Sequence, residues 1–502
     1  MGCELCFPLR DRHHARETVS EHLQKRTPRS PHCRNCPPKA PKTAAVLQLL
    51  KDFESRNVTF LEPNRSWPAV WERARGVYVW DVEGKRYVDL TAAFGVAAAG
   101  HGNPRVVAAG QKQMARLLHA MGDVHPHALK ARLARELSRL TFERWSGSRL
   151  ASAVSRKSPI AAGGDCVRGK TIFCNSGFEA VEAALKTARL ATGRRGVVAF
   201  QGAYHGLGYG ALNATHRPHF RSHFEDQLGG FGCFLPFPCV SRFTPGEKLS
   251  LKALELQLER VLRRKKIGAV LVEPVQVRGG INIPPPGFLP LLRRLCSQYD
   301  AVLILDEIYT GFGRTGKWFA CEHTGIMPDL ICLGKALTGG FPLSACVGRA
   351  ELMDAAWPPS SGEAIHTSTF LGHPVGCAMA LAQIEQLERR ELIARSAELG
   401  AWLLRRLSAL ASRCSALLCE ARGLGLLAAL ELRQLDGAPA MRATLELVKG
   451  LLRRGFIFLP EGEHANVLGF TPPLVISKAQ LGGALQACEE LLLGSLQVES
   501  ET

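Results

Sequence analysis

The 502-residue chain has no run approaching the ~18 to 20 uninterrupted apolar residues that a membrane-spanning helix needs, so no helical span is expected. Its first residues, MGCELCFPLRDRHHARE, lack the apolar centre of a secretory leader, which leaves the cytoplasm as the default location. Acidic residues are the minority: 45 Asp and Glu stand against 63 Lys and Arg, for a net charge of +18. The excess is spread over doublets such as Arg194-Arg195, Arg293-Arg294, Arg405-Arg406 and Arg453-Arg454, with one denser run at Arg263-Arg264-Lys265-Lys266. No aromatic residues interleave with these clusters, and they flank amphipathic helical patterns. They read as solvated faces, not as a nucleic-acid track. No internal repeat is present, which excludes a solenoid.

Sixteen cysteines are scattered, many in apolar surroundings (Cys174, Cys332, Cys346, Cys377), and these read as small buried hydrophobes. Cys3-x-x-Cys6 and Cys33-x-x-Cys36, near His13, His14 and His32, have a spacing that can bind zinc. The segment between them shows no strand or turn pattern of a zinc ribbon, so no metal is expected. Residues 1–44, rich in Arg, Pro, His and Cys, are read as a flexible extension. They weakly resemble an organelle transit peptide, yet contain Glu4, Asp11, Glu17 and Glu21, which such peptides avoid.

Residues 45–125 form an N-terminal segment whose GVYVWDVEGKRYVDL stretch alternates apolar and polar residues across Glu83-Gly84, the pattern of a β-hairpin expected to pack on a small domain. Residues 126–374 alternate short apolar runs with helical patterns. The runs are KTIFC, VVAF (197–200), AVLVEP (269–274), AVLILDE (301–307), LICLG (330–334) and SACVG (344–348). That predicts an α/β domain with a mostly parallel central sheet. Within it, 147–169 is Ser-, Ala- and Gly-rich and reads as an inserted loop. Residues 375–502 open with a long helix expected from 375 to about 410 and read as a smaller C-terminal α/β domain.

Four motifs carry chemistry. Asn175-Ser176-Gly177-Phe178-Glu179 follows a strand and opens a helix; Ser176 and Glu179 have capping-box spacing, and a helix N-terminus suits a phosphate. Tyr204 and His205 follow the strand VVAFQ, where an aromatic ring can stack on a flat cofactor. Asp306 ends a strongly apolar strand, where a carboxylate is costly without a partner; a protonated pyridine nitrogen is one such partner, neighbouring backbone N–H groups another. Lys335 sits between an apolar strand and a Gly-rich turn, and a desolvated lysine becomes a nucleophile towards aldehydes.

Taken together, in this order and spacing, these motifs closely resemble the class III aminotransferases of fold type I, the ornithine, acetylornithine and 4-aminobutyrate type, over about residues 60 to 495. The resemblance implies a homodimer with active sites at the subunit interface and pyridoxal 5′-phosphate as cofactor. It implies that Lys335 holds the cofactor as a Schiff base and shuttles a proton, that Asp306 pairs with the ring nitrogen, and that Tyr204 stacks on the ring with His205 behind it. It further places Ser176, Gly177 and Phe178 on the phosphate, Glu273 and Gln276 of the VEPVQ stretch at the cofactor, with Gln276 on the ring hydroxyl, and Thr369 on the phosphate of the neighbouring subunit. The activity implied is ping-pong transfer of an amino group from an amine or amino acid to a keto acid or aldehyde. A racemase on the same scaffold is the rival reading; a non-catalytic protein is disfavoured by the intact set of Lys335, Asp306, Tyr204 and Gln276.

Departures from the family touch substrate recognition. Leu207 replaces the Arg of an HGR motif, Gly469 the Arg of a VLRFTPPL-like strand, and Arg278 the Glu of EPVQGEGG. In such members the second Arg can pair with that Glu. One expectation is therefore that Arg278, with Gly469 leaving room, clamps a substrate carboxylate bidentately. The other is that it faces solvent or pairs with Glu273 or another acid, and that the substrate lacks a carboxylate there.

Overall fold

Strands such as Val302–Asp306 and Leu330–Leu333 are buried along their whole length, which is why they read as continuous apolar runs without alternation. The computed structural model describes residues 41–62, 67–147, 167–241, 243, 250–264 and 266–494. The cysteine pairs of the N-terminal extension and most of the 147–169 insertion lie outside the described residues.

The central sheet has seven strands in the order Gly169–Cys174, Ser344–Arg349, Leu330–Leu333, Val302–Asp306, Ile267–Val272, Gly196–Phe200, Gly232–Leu235. Ser344–Arg349 runs antiparallel to both its neighbours, and the remaining pairings are parallel. Successive residues feed two cores, as the period of two requires. Val302, Ile304, Leu330 and Cys332 pack with Ala180, Ala184 and Ala188 of the helix Gly177–Thr192. Leu303, Leu305, Ile331 and Leu333 face the other way, with Leu254 and Leu258 of the helix Leu251–Arg263 and Leu292 and Leu295 of Phe288–Gln298. The architecture is α/β with a mostly parallel sheet, that of fold type I.

The hairpin lies at Tyr78–Asp81 and Arg86–Asp89, and Gly84 supplies the left-handed turn residue at φ +87. Its second strand pairs in parallel with Phe456–Ile457, which ties the N-terminal segment to the C-terminal region. There, Leu418–Leu424, Leu427–Arg433, Val467–Phe470 and Pro460–Glu461 form an antiparallel sheet. Arg314, fully buried, bonds the carbonyls of Leu426 (3.0 Å) and Pro472 (2.5 Å) and so fixes this sheet against the large domain. The single helix expected from 375 to about 410 is instead two, Pro374–Arg389 and Leu392–Arg413. The break falls at Arg390 and Glu391, where Glu391 adopts φ +49; neither Gly nor Pro marks the place. No helix among the described residues is long and apolar enough to cross a membrane.

Candidate active site

Parallel strands aim their carboxyl ends at one place, and a crevice opens there. In this protein it is a cavity of about 440 Å³ whose wall includes Gly177, Phe178, Tyr204, His205, Glu273, Arg278, Asp306, Tyr309 and Lys335. A somewhat larger cavity, about 500 Å³, lies beside Leu185, Leu190, Trp357 and Ile365; it contains neither Lys335 nor Asp306 and is mainly apolar.

Asp306 is buried at the end of its strand. Its Oδ2 lies 2.8 Å from Nδ1 of the fully buried His205, and its Oδ1 accepts from the Ile308 N–H at 3.2 Å. His205 is itself fixed, since its backbone N–H donates to Thr215 Oγ1 at 2.9 Å. A backbone N–H thus fixes one carboxylate oxygen and His205 lies against the other, while Asp306 lines the cavity.

Lys335 follows the adjacent strand in a left-handed backbone conformation, φ +43, which costs a non-glycine residue energy and persists only where the surroundings hold it. Its Nζ lies 4.6 Å from the centre of the Tyr309 ring. Burial holds its ammonium below the usual lysine range, and Asp306 and Glu273 oppose that shift. A lysine so placed is the one amine on the cavity wall with a raised neutral fraction.

Tyr204 also lines the cavity. Its N–H donates to Glu273 Oε1 at 3.0 Å, and its ring meets Phe220 edge-on at 5.3 Å. Glu273 is buried, accepts a second bond from the Val277 N–H at 3.3 Å, and is pushed by burial up to about 7. At the mouth of the helix Gly177–Thr192, the Glu179 carboxylate takes the N–H groups of Asn175 (2.6 Å) and Ser176 (3.2 Å). The first-turn N–H groups beyond them have no intrahelical partner. The Ser176 hydroxyl is buried without a hydrogen-bond partner.

Of the other expected residues, Ser176 and Gln276 stand outside the cavity wall, Thr369 is exposed, and Arg278 lines the wall. Gln276 is buried but does not line the cavity. Its Nε2 donates to the Gln201 carbonyl at 2.8 Å and its Oε1 accepts from Asn282 at 3.4 Å, so it braces the turn after the strand. Thr369 lies in an exposed segment outside the cavity of its own chain. Arg278 reaches the cavity but is not unpaired: Nη1 donates to Glu461 Oε2 at 2.7 Å. A Cβ on Gly469 would come within 3.2 Å of Glu461 Cγ, so the missing side chain at 469 gives Glu461 its room. Glu461 and Tyr309 are site residues that motif reading missed. Tyr309 stands three residues after Asp306; Glu461 carried no local signal.

The arrangement fits pyridoxal phosphate on its own terms. The orphaned Ser176 hydroxyl and the helix N-terminus suit a phosphate, the Tyr204 ring a flat heterocycle, the braced Asp306 carboxylate a ring cation, and Lys335 an aldehyde. Among the described residues no group of three His, Cys, Asp or Glu side chains is placed to hold a metal.

A sequence profile of the family described as Aminotransferase class-III matches residues 61–492. The chain is 36% identical over 427 residues to the 5-aminovalerate aminotransferase of Pseudomonas aeruginosa, covering 84% of this chain and 93% of that one. It is 35% identical over 460 residues to the putrescine aminotransferase of Pectobacterium atrosepticum, covering 89% and 88%. Among solved structures, an ornithine aminotransferase from Toxoplasma gondii, with partial occupancy of pyridoxal phosphate at its active site, superimposes with a TM-score of 0.74 at 26% identity, covering 91% of this chain and 96% of that one.

Proposed function

This chain belongs to the class III aminotransferases, and we propose that it carries its cofactor on Lys335 and moves an amino group from a carboxylate-bearing amine or amino acid to a keto acid. Amino-group transfer with pyridoxal phosphate is the chemistry of the family; the assignment of residues and of substrate is the proposal. One observation carries it. Lys335 and Asp306, at the ends of adjacent parallel strands, face the same cavity, and a buried histidine is clamped on the carboxylate.

When bound, pyridoxal phosphate supplies an electron sink for the substrate carbon that loses a proton and a carrier for the amino group between two substrates. Lys335 Nζ would hold the cofactor covalently and, once released by an incoming amine, move the proton at the substrate carbon; its lowered ammonium value keeps part of it neutral for that work. Asp306, oriented by His205, would hold a positive charge on the ring nitrogen. Tyr204 would cover the ring, its backbone held by Glu273, and Ser176 with the backbone of Gly177 and Phe178 would hold the phosphate. Because one amine must leave before the acceptor enters the same cavity, the kinetics are ping-pong. A racemase would need the same lysine, and no observation favours it.

Assembly as a homodimer is part of this reading. Segments 117–125 and 365–373 pack together: Thr367 Oγ1 donates to Asp123 at 2.6 Å, and His119 and Phe370 rings lie 5.4 Å apart. Between them they leave Leu118, Met121, Val124, Ile365 and Phe370 more than half exposed, an apolar surface that a second copy would cover. Thr369 lies on that surface, where it would reach the neighbour's phosphate. We place the enzyme in the cytoplasm, in keeping with the buried free thiols of Cys174, Cys332, Cys346 and Cys377.

Borohydride reduction of the purified protein, followed by peptide mapping, tests the assignment. The phosphopyridoxyl group should be found on Lys335; a label on any other lysine overturns the site.

A further inference from the structure

The turn that brings Arg278 to the cavity is held in an unfavourable shape from outside. It spans residues 276–282 and is closed by backbone bonds between Gln276 and Asn282 at 3.1 and 2.9 Å. Near its far end Gly280 adopts φ +119 and Ile281 φ +54. A left-handed backbone is rare for a β-branched residue and persists only where neighbours over-determine it. Two sets of neighbours do so here. The Ile281 side chain is buried in an apolar cluster with Tyr309, Leu427, Ala429 and Val467. The carbonyls of Gly280 and Ile281 meet a single guanidinium. Arg422, of the strand Leu418–Leu424, donates from Nε to the Ile281 carbonyl at 2.9 Å and from Nη2 to the Gly280 carbonyl at 2.6 Å.

The remaining arm of that guanidinium, Nη1, donates to Glu431 Oε2 at 2.6 Å, and Glu431 Oε1 accepts from Arg433 at 2.7 Å. Arg422 and Glu431 are both buried. A planar fork committed on three sides has one orientation, and so have the two carbonyls it holds. The C-terminal region grips the same turn a second time, since the Gly462 N–H donates to the Arg278 carbonyl at 3.3 Å. Beside Gly462, Glu461 takes the Arg278 side chain. Arg422 itself does not line the cavity and reaches it only through the turn.

We propose that Arg422 is a positioning residue for the active site: by holding the Gly280 and Ile281 carbonyls it keeps the turn strained and so sets Arg278 against Glu461 at the cavity wall. This rests on the cavity being the active site, as proposed above. A lysine at 422 could reach one carbonyl or Glu431 but lacks the fork that meets all three. The turn then relaxes, Arg278 loses its fixed place, and Lys335 and Asp306, on other strands, stay where they are.

Urea unfolding and steady-state kinetics of the holoenzyme test this with Arg422→Lys, Arg422→Gln and, as a control, Arg433→Gln. Arg433 bonds Glu431 but not the turn, and in Arg422→Gln it still neutralises Glu431, so no buried charge is orphaned. Burial pushes Glu461 up to about 7, so Arg278→Ala made in the parent should cost more stability at pH 8 than at pH 6. Made in either Arg422 variant, that difference should fall to less than about half, because Arg278 no longer sits on Glu461; made in Arg433→Gln, it should persist. With 5-aminovalerate as donor, KM should rise about tenfold in the Arg422 variants while kcat stays within about twofold, and Arg422→Lys should lie closer to the parent than Arg422→Gln. An unchanged pH dependence of the Arg278→Ala penalty overturns the proposal whatever KM does, because Arg422 then only supports the fold. An equal KM rise in Arg433→Gln also overturns it. If the parent does not turn over 5-aminovalerate, the carboxylate-bearing substrate is in error and the stability cycle alone decides on Arg422.

Discussion

Replacing Arg278 by Ala removes the one ion-pair partner of Glu461 among the described residues, and the size of the effect follows from where that carboxyl sits. The Glu461 side chain is 5% exposed and that of Arg278 30%. Burial pushes Glu461 up to about 7 from its ordinary 4.5, even with Arg278 pulling it down. Without the arginine the carboxyl moves further up and escapes the unpaired charge by taking a proton. Protonating a group of pKa near 7 takes about 0.1 kcal/mol at pH 6 and about 1.4 kcal/mol at pH 8. The lost hydrogen bond adds roughly 1 kcal/mol at either pH. Arg278→Ala should therefore destabilise the holoenzyme by about 1 kcal/mol at pH 6 and about 2.5 kcal/mol at pH 8. The sign follows from the raised value. Such a group favours the folded state fully below 4.5 and loses that contribution as pH rises through its folded pKa. The variant, with the higher value, prolongs the loss above pH 7. Urea unfolding of parent and variant at the two pH values measures the difference. A penalty of the same size at both would refute the reasoning, because it would mean that Glu461 is already solvated or that Arg278 is not its partner. Glu461→Gln provides the converse control: it leaves a partly exposed arginine in contact with water, so its penalty should be small and independent of pH.

Asp306→Ala should keep the cofactor, measured by absorbance, and lower kcat by on the order of a hundredfold or more, since a preorganised charge at the ring nitrogen is lost; a fully active variant would make the carboxylate structural. Thr369→Ala should weaken cofactor retention in a protein that sediments as a dimer, and a monomer that retains cofactor normally contradicts the interface. If a substrate carboxylate draws Arg278 away from Glu461, binding takes up a proton. KM for an acidic substrate should then rise by up to about tenfold per pH unit above 7, and Glu461→Gln should flatten the profile.

How much of this could be read from the chain alone depended on how local each signal was. The central sheet was legible because burial on both faces forces unbroken apolar runs, as in Val302–Asp306 and Ile267–Val272. Lys335 and Asp306 stood out because a charge at the end of such a run needs a reason. The helix break at Glu391 left no trace, since the left-handed residue there is neither Gly nor next to a Pro. The turn after Ile267–Val272 sends Glu273 and Arg278 to the cavity and turns the Gln276 amide to the Gln201 carbonyl, an orientation that the motif does not announce. The Arg278–Glu461 pair joins residues 183 positions apart, a separation across which no spacing pattern carries information.

That division between legible and hidden residues follows a division of labour in the fold. The groups suited to the cofactor stand on or just beyond the carboxyl ends of the central strands, where two packed cores hold them rigid and each is announced by its own strand. The charged pair beside them comes instead from two separate elements: Arg278 from the turn after one strand and Glu461 from the C-terminal sheet. Exchanging either charge should alter the charge that a substrate meets there and leave the strand ends untouched. The Arg at 278 and the Gly at 469 are then a coupled change. Arg278 pairs with a buried acid, Glu461, and Glu461 lies close against position 469, where a Cβ would come within 3.2 Å of its Cγ. Gly469→Ala, which would press a Cβ against Glu461, should disturb the mouth as Arg278→Ala does while leaving Lys335 and Asp306 in place.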